Sequence, residues 1–235
     1  HQLLTKLLPR WGITSTYVDA DAGMDAWERA VTPATRLVFV ETPSNPGLAL
    51  LDLDALGALC RARGLVLVVD NCFTTPILQQ PMRHGAHLVV HSATKFIDGQ
   101  GRTLGGVVVG DTPLVAELRY FARHTGPALS PFNAWVLSKS LETLAVRMAR
   151  HCASALALAT HFEGHRGVTE VRYPWLASHP QHALARRQMT AGGGIVALVV
   201  EGGLPRARAF LDALALLSHS PNLGDTRTIV THPAS

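Results

Sequence analysis

Residues 65–76 read LVLVVDNCFTTP, an unbroken apolar run that ends directly on Asp70. A run of this length, rich in Val and bounded by turn residues, predicts a strand buried on both faces, as in parallel sheets covered by helices. The same pattern recurs on either side. LVFV at 37–40 is followed by ETPSNP, and HLVVH at 87–91 is followed by SATK. Between the first two strands lies DLDALGALCRAR (52–63), with Leu53, Leu56, Leu59 and Cys60 along one helical face and Gly64 placed to end it. A helical turn region covers 77–84, and GVVV at 106–109 reads as a further strand. Strands alternating with helices in this way predict βαβ units, hence an α/β domain built on a mostly parallel sheet.

Ser130 followed by Pro131 is a helix start, an N-cap with proline at the first helical position. The sequence then stays favourable to helix through Phe162, which predicts one long connecting helix. Beyond it, VTEVRYP (168–174), HPQHALARRQM (179–189), GIVALVV (194–200) and PRARAFLDALALL (205–217) form a second, smaller α/β pattern. The expected division is a large domain over 1–152 and a C-terminal α/β domain over 153–235. His1 stands where a Met would start a chain, and no terminating element closes the other end, so the sequence reads as truncated at both ends.

With 235 residues, 47% hydrophobic and 16% charged, the chain has enough apolar mass for a real core. No apolar run approaches the roughly 18–20 residues of a membrane span, and HQLLTKLLPR lacks the shape of a secretory signal, so no membrane and a cytoplasmic location are expected. Cys60, Cys72 and Cys152 form no CxxC pair, which argues against a disulfide framework and a thiolate zinc site. The net charge of +4 is scattered among acidic residues instead of forming a basic stripe, so no nucleic-acid partner is expected. Arg186 with Arg187 and Arg206 with Arg208 read as solvated helix faces. His87 and His91 share a strand face, and His84 is near, but no further ligand stands at fitting spacing, so no metal is expected.

In a parallel α/β sheet, loops and helix N-termini converge at the carboxyl ends of the strands, where ligands bind. The three strand ends therefore aim a carboxylate, a lysine and a group of hydroxyls at one crevice. Lys6 lies in an amphipathic opening segment and Lys139 in the long helix, which leaves Lys95 as the Schiff-base candidate. Taken alone, Lys95 reads equally well as a lysine snorkelling from a loop. Asp70 shifts that balance, because a carboxylate at the end of so apolar a strand needs a cationic or hydrogen-bonding partner. A pyridinium nitrogen is such a partner, and an Asp beside it strengthens pyridoxal phosphate as an electron sink. At an effective dielectric near 20, charges about 4 Å apart attract by roughly 4 kcal/mol. Capping of the segment after the strand is the plainer role for Asp70. Ser92 and Thr94 offer hydroxyls to a phosphate. GQGRTLGG (99–106) lacks Walker and Rossmann spacing, and it and Gly192–Gly194 read as turns.

In order, ETPSNP (41–46), VVDNCFTTP (68–76), HSATKFIDGQGR (91–102) with GGVVVG (105–110), GPALSPFNAW (126–135), SLETLAVRMARH (140–151) and NLGDTRTIVTHPAS (222–235) resemble the Cys/Met-metabolism family of fold-type I pyridoxal-phosphate enzymes. The resemblance covers nearly the whole chain. It implies that Lys95 carries pyridoxal 5′-phosphate, that Asp70 holds its pyridine nitrogen, and that Ser92 and Thr94 bind its phosphate. It further implies that Asn45 contacts the phenolic oxygen and helps seat the substrate carboxylate. Asn222, in NLGD where many members have a serine, falls at the substrate edge. The implied activity is γ-replacement on an O-acylhomoserine, the succinyl ester ahead of the acetyl, with sulfide, giving homocysteine. Cystathionine synthesis and γ-elimination are the alternatives inside the family, and an inactive remnant keeping the fold is the alternative outside it. The resemblance also implies a homotetramer built from dimers. It places a Tyr and an Arg for a neighbouring subunit, a glycine-rich phosphate loop and a ring-stacking aromatic upstream of this sequence, and a carboxylate-binding arginine downstream.

Overall fold

A computed structural model describes residues 1–233; Ala234 and Ser235, which close the last motif and the expected C-terminal domain, lie outside the described residues. His1–Arg36 is one compact unit and the chain from Leu37 onward another. The first holds two short helical turns, Leu3–Leu7 and Leu8–Trp11, and helix α1 (Met24–Ala30), and none of its residues is buried.

The second unit begins with β1 (Leu37–Glu41), α2 (Leu53–Arg63), β2 (Val66–Asp70), the short α3 (Thr75–Leu78), β3 (Leu88–Ser92) and β4 (Gly106–Gly110). It continues through α4 (Thr112–Thr125), α5 (Pro131–Leu141), α6 (Leu144–Phe162), β5 (Val168–Arg172), α7 (His182–Gln188), β6 (Ala197–Val200), α8 (Gly203–Asp212), β7 (Ser218–His219) and β8 (Ile229–Val230). The main sheet has the order β1-β2-β3-β4. The first three strands are parallel, and all three end where the polar motifs begin. Asp52 caps α2 by accepting the Ala55 N–H at 3.1 Å, and Gly64 ends it at φ 64°.

β4, read from sequence as a further strand of a mostly parallel sheet, runs antiparallel to β3 because residues 93–105 reverse the chain without a crossover helix. The segment carrying Lys95 is itself that reversal. The helix read as unbroken from Ser130 to Phe162 is two helices, α5 and α6. At the junction, the Ser140 carbonyl accepts from the Thr143 hydroxyl at 3.2 Å and from Arg147 Nη2 at 3.0 Å, so it is diverted from the helical ladder. The start was read correctly: Ser130 Oγ accepts from Asn133 N at 3.1 Å. The turn region at 77–84 is likewise divided, into α3 and a tight turn over Pro81–His84, with Gln79 between them bridging to Met189.

Gln79 belongs to a buried polar network that ties the strand ends to α7. Its Nε2 donates to Thr42 O and to Asn71 Oδ1, both at 2.9 Å. Asn71 Nδ2 donates to the Thr75 and Gln79 carbonyls, and Gln188 Nε2 donates to Gln79 Oε1 at 3.2 Å and to Leu51 O at 3.1 Å. Buried amides of this kind stabilise only while every member is paired. Gln79→Leu strips the Thr42 carbonyl of its donor while Asn71 Oδ1 and Gln188 Nε2 keep Thr74 and Leu51, and urea denaturation should show a loss of about 1–3 kcal/mol, the cost of one orphaned group.

Candidate functional site

Lys95 sits in a single π-type turn, Ala93–Ile97, whose helical geometry it breaks with φ −90° and ψ −125°. On either side of it the turn is locked. Ala93, Phe96 and Ile97 are buried in a core cluster with Leu137, Leu144 and Met148. Arg147 of α6 donates to the Phe96 carbonyl at 2.6 Å and to the Ile97 carbonyl at 3.1 Å. Asp98 is buried, and Arg102 closes on it through the backbone N–H at 2.6 Å and Nε at 3.1 Å. The lysine side chain, half-buried, is thus the part of the turn left to project.

It projects to Asn222, whose Oδ1 accepts from Lys95 Nζ at 2.6 Å. Both line a cavity of about 410 Å³ with Thr94 and Pro221. The loop 222–226 lies directly on the lysine turn: Thr226 N donates to Gly99 O at 2.9 Å, and a Cβ on Gly224, at φ 83°, would lie 2.7 Å from the Lys95 carbonyl carbon. Only glycine satisfies both that backbone angle and that approach. Asp225, buried, is held by Arg227 Nη2 at 3.0 Å, and this partner keeps its carboxyl below the usual range.

Asp70 stands at the end of β2, paired with Glu41 of β1 and Val90 of β3. One of its oxygens accepts from Cys72 N at 3.0 Å in a local turn; it does not cap the following helix, the plainer role read from sequence, because that helix begins after Thr74. Neither Asp70 nor Glu41 takes part in an ion pair among the described residues. Burial raises the Asp70 carboxyl, and burial together with the Asp70 charge pushes Glu41 up to about 7. Cys72 is the neighbour common to all these groups. Its Sγ reaches the Ser92 carbonyl at 3.8 Å; burial, with Asp70 and Glu41 adding to it and Lys95 opposing, pushes the thiol up to about 12. The carboxyl groups that end β1 and β2 and the amine of Lys95 therefore all act on one thiol.

The other sequence candidates divide. Thr94 shares the cavity with Lys95 and Asn222, although its hydroxyl is partly spent on Gly105, accepting from N at 3.2 Å and donating to O at 3.4 Å. Ser92 ends β3 on the Asp70 face of the sheet, and its hydroxyl forms no hydrogen bond among the described residues. Asn45 is exposed beyond β1, and its backbone N–H points to Glu41. The three histidines have separate tasks: His84 Nδ1 meets Asp54 at 2.8 Å, His87 Nδ1 accepts from Leu67 N at 3.0 Å, and His91 is buried. The arginines read as solvated are partly engaged, since Arg186 lies 4.6 Å over the Trp175 ring and Arg187 Nη2 pairs with Asp52 at 2.5 Å. Sequence reasoning assigned no role to Glu41, Arg147 or Gly224, although each stands inside a quoted motif, ETPSNP, SLETLAVRMARH and NLGD respectively; what the motifs did not show is which distant segment each meets.

This donor set fits a planar ring with a cationic nitrogen, an anionic arm and a carbonyl that can condense with an amine. Two half-buried carboxyl groups lack a cation, a hydroxyl is unspent, and an amine faces a cavity. Lysine, carboxylate and hydroxyls at the ends of parallel strands define the lysine-linked, heterocycle-binding class of α/β proteins.

The family model for Cys/Met metabolism PLP-dependent enzymes matches residues 1–235, and the chain belongs to that family, for which pyridoxal phosphate is the cofactor. It is 51% identical over 233 residues to an O-succinylhomoserine sulfhydrylase of Pseudomonas aeruginosa, covering 99% of this chain and 58% of that protein. It is 42% identical over 227 residues to an L-methionine gamma-lyase of Pseudomonas putida, covering 96% of this chain and 57% of that protein. Among solved structures, metB from Corynebacterium glutamicum superposes with a TM-score of 0.96 at 37% identity, covering 100% of this chain and 61% of that one. The chain thus spans less than two thirds of the length of these relatives.

Gly224→Ala should drive the 222–226 loop off the Lys95 turn. Expected are a loss of stability of about 1–3 kcal/mol in chemical denaturation and faster amide hydrogen exchange over 93–99; unchanged exchange there would show that the two loops are not coupled.

Proposed function

We propose that this protein catalyses γ-replacement on an O-acylhomoserine, the O-succinyl ester first, with sulfide as the sulfur donor and homocysteine as the product. The observation that supports the reading is that Asp70, ending β2, and Lys95, in the turn after β3, both act on the thiol of Cys72, joined to the 51% identity with a named sulfhydrylase. In this reading Lys95 links pyridoxal 5′-phosphate, Asp70 holds its ring nitrogen, Ser92 and Thr94 hold its phosphate, and Asn45 meets its phenolic oxygen. When bound, the cofactor supplies an electron-withdrawing ring that acidifies the α hydrogen of the attached amino acid.

The chain's own residues do the rest. Lys95 Nζ, as a free amine, would be the base that moves protons at the substrate Cα and Cβ. Asn222 Oδ1 accepts from that amine and orients it toward the substrate edge of the cavity. Asp70, ionised and poorly solvated, favours the protonated ring nitrogen by a few kcal/mol, about 4 at an effective dielectric near 20. The ester C–O bond at Cγ breaks with the acid leaving as a carboxylate, and the sulfide sulfur forms the new bond at the same carbon. Residues 1–152 form the large domain and 153–235 the smaller one in this proposal, in a cytoplasmic homotetramer of paired dimers. A γ-lyase is the second reading, favoured by the 42% identity to the P. putida methionine enzyme.

Lys95→Ala in the full-length protein should remove the visible absorbance of bound cofactor together with turnover, the latter by about a hundred- to ten-thousand-fold or more. Asp70→Asn should leave the lysine-linked absorbance while cutting kcat by roughly a thousandfold, the equivalent of about 4 kcal/mol. Products settle the reaction: mass spectrometry after incubation with sulfide and either ester should find homocysteine, formed faster from the succinyl ester. A 2-oxo acid with no homocysteine would instead make the enzyme a lyase.

A further inference from the structure

Glu41 has no part in the mechanism above, yet it is the residue beside Asp70. The parallel register pairs the two at the carboxyl ends of β1 and β2. Paired residues on adjacent parallel strands project to the same face, with backbones about 4.8 Å apart. Glu41 is half-buried and receives the Asn45 backbone N–H, while the equally half-buried Asp70 receives that of Cys72. Cys72, in the turn after β2, is the titratable group beside this pair, and Lys95, in the turn after β3, acts on the same thiol while its amine is given to Asn222.

Two carboxyl groups this close, half out of water, do not both ionise freely. Burial first and the Asp70 charge second push Glu41 up to about 7. Asp70, raised by burial, keeps a hydrogen bond from Cys72 N that favours its carboxylate form, and it is this charge that acts on Glu41. Around neutral pH the pair consequently holds a shared negative charge and a proton, with Glu41 as its carrier.

We propose that Glu41 is a positioning residue of the cofactor site, its carboxyl proton taking the place of the ring cation until a pyridinium nitrogen docks on Asp70, whereupon that proton leaves to solvent. The O–H bond of Glu41 breaks and no other bond changes. The pair goes from one negative charge to two while the ring nitrogen brings one positive charge, so the local total is preserved and nothing is oxidised or reduced. The two carboxylates then flank the ring nitrogen together and hold it more firmly than Asp70 alone. The inference rests on the proposed reading in one respect, that a pyridine ring binds at Asp70.

The sign follows from linkage. A carboxyl that is raised in the ligand-free protein and returns toward its ordinary range in the complex releases protons on binding between those two values, so affinity climbs with pH and levels off above about 7. The same raised carboxyl binds more protons folded than unfolded between about 4.5 and about 7, so the ligand-free fold loses stability as pH rises through that window.

The test is calorimetric titration of the full-length ligand-free protein with pyridoxine 5′-phosphate, which keeps the ring and phosphate but has no aldehyde for Lys95. Repeating it in buffers of different ionisation enthalpy counts the protons. At about pH 6 the wild type should release roughly one proton more per site than Glu41→Gln, and the difference should vanish by about pH 9. The melting temperature of ligand-free Glu41→Gln should gain on the wild type as pH rises from about 5 to about 8. Equal proton counts with both proteins binding would overturn the role of Glu41 while leaving the cofactor reading intact; a wild type that binds nothing would overturn the cofactor reading itself. Should Glu41→Gln not fold, infrared difference spectra of the wild type serve instead. Loss of a protonated-carboxyl band on binding is expected, and its persistence would sink the proposal.

Discussion

Negative charge held half out of water at the carboxyl ends of parallel strands is the constraint from which the site follows. Asp70 and Glu41 end adjacent strands, with no cationic partner among the described residues, so the carboxyl end of the sheet is electrostatically incomplete as it stands. Water screens the pair poorly, and the neighbouring thiol, held protonated by burial, adds no further negative charge. What completes such an arrangement is a cation that fits between the strand ends and the lysine turn. The fold positions this deficit where the third strand delivers an amine.

The amine is placed by parts of the chain far from it. β3 and β4 are joined by the turn that carries Lys95, and a reversal of that kind would be free to move were it not fastened from outside. Arg147 holds its carbonyls from α6, Asp98 and Arg102 close it from within, and the 222–226 loop lies over its backbone at Gly224. Phe96 and Ile97 sink into the core on the far side. A side chain whose two neighbours are fixed in this way has its reach set by the scaffold instead of by its own rotamers, which is what an amine needs to meet a bound ring in a single orientation.

The break between α5 and α6 belongs to the same design. The Ser140 carbonyl leaves the helical ladder and accepts from Arg147, the residue that also grips the lysine turn. Ser140 Oγ meanwhile accepts from Arg102 Nη2 at 2.6 Å. An unbroken helix would direct that carbonyl along its own axis and deprive Arg147 of one of its anchors. The kink thus links the packing of the helical layer to the position of Lys95.

The sequence by itself determined the three parallel strands, the helix between the first two, and the identity of Asp70 and Lys95 as the groups at their tips. Those are local facts: an apolar run, a capping residue and the charged residue that follows it lie within a few positions of one another. Asn222, at the far end of the chain, was marked by its motif, but its hold on the Lys95 amine was not. Only the tertiary structure decided that Glu41 stands beside Asp70, because register between strands is set by packing across the sheet. The same holds for the direction of β4, the kink at Ser140 and the fit of Gly224 on the lysine turn. Each depends on contacts between segments tens to more than a hundred residues apart, and no pattern of neighbours along the chain encodes which distant surface a residue will meet.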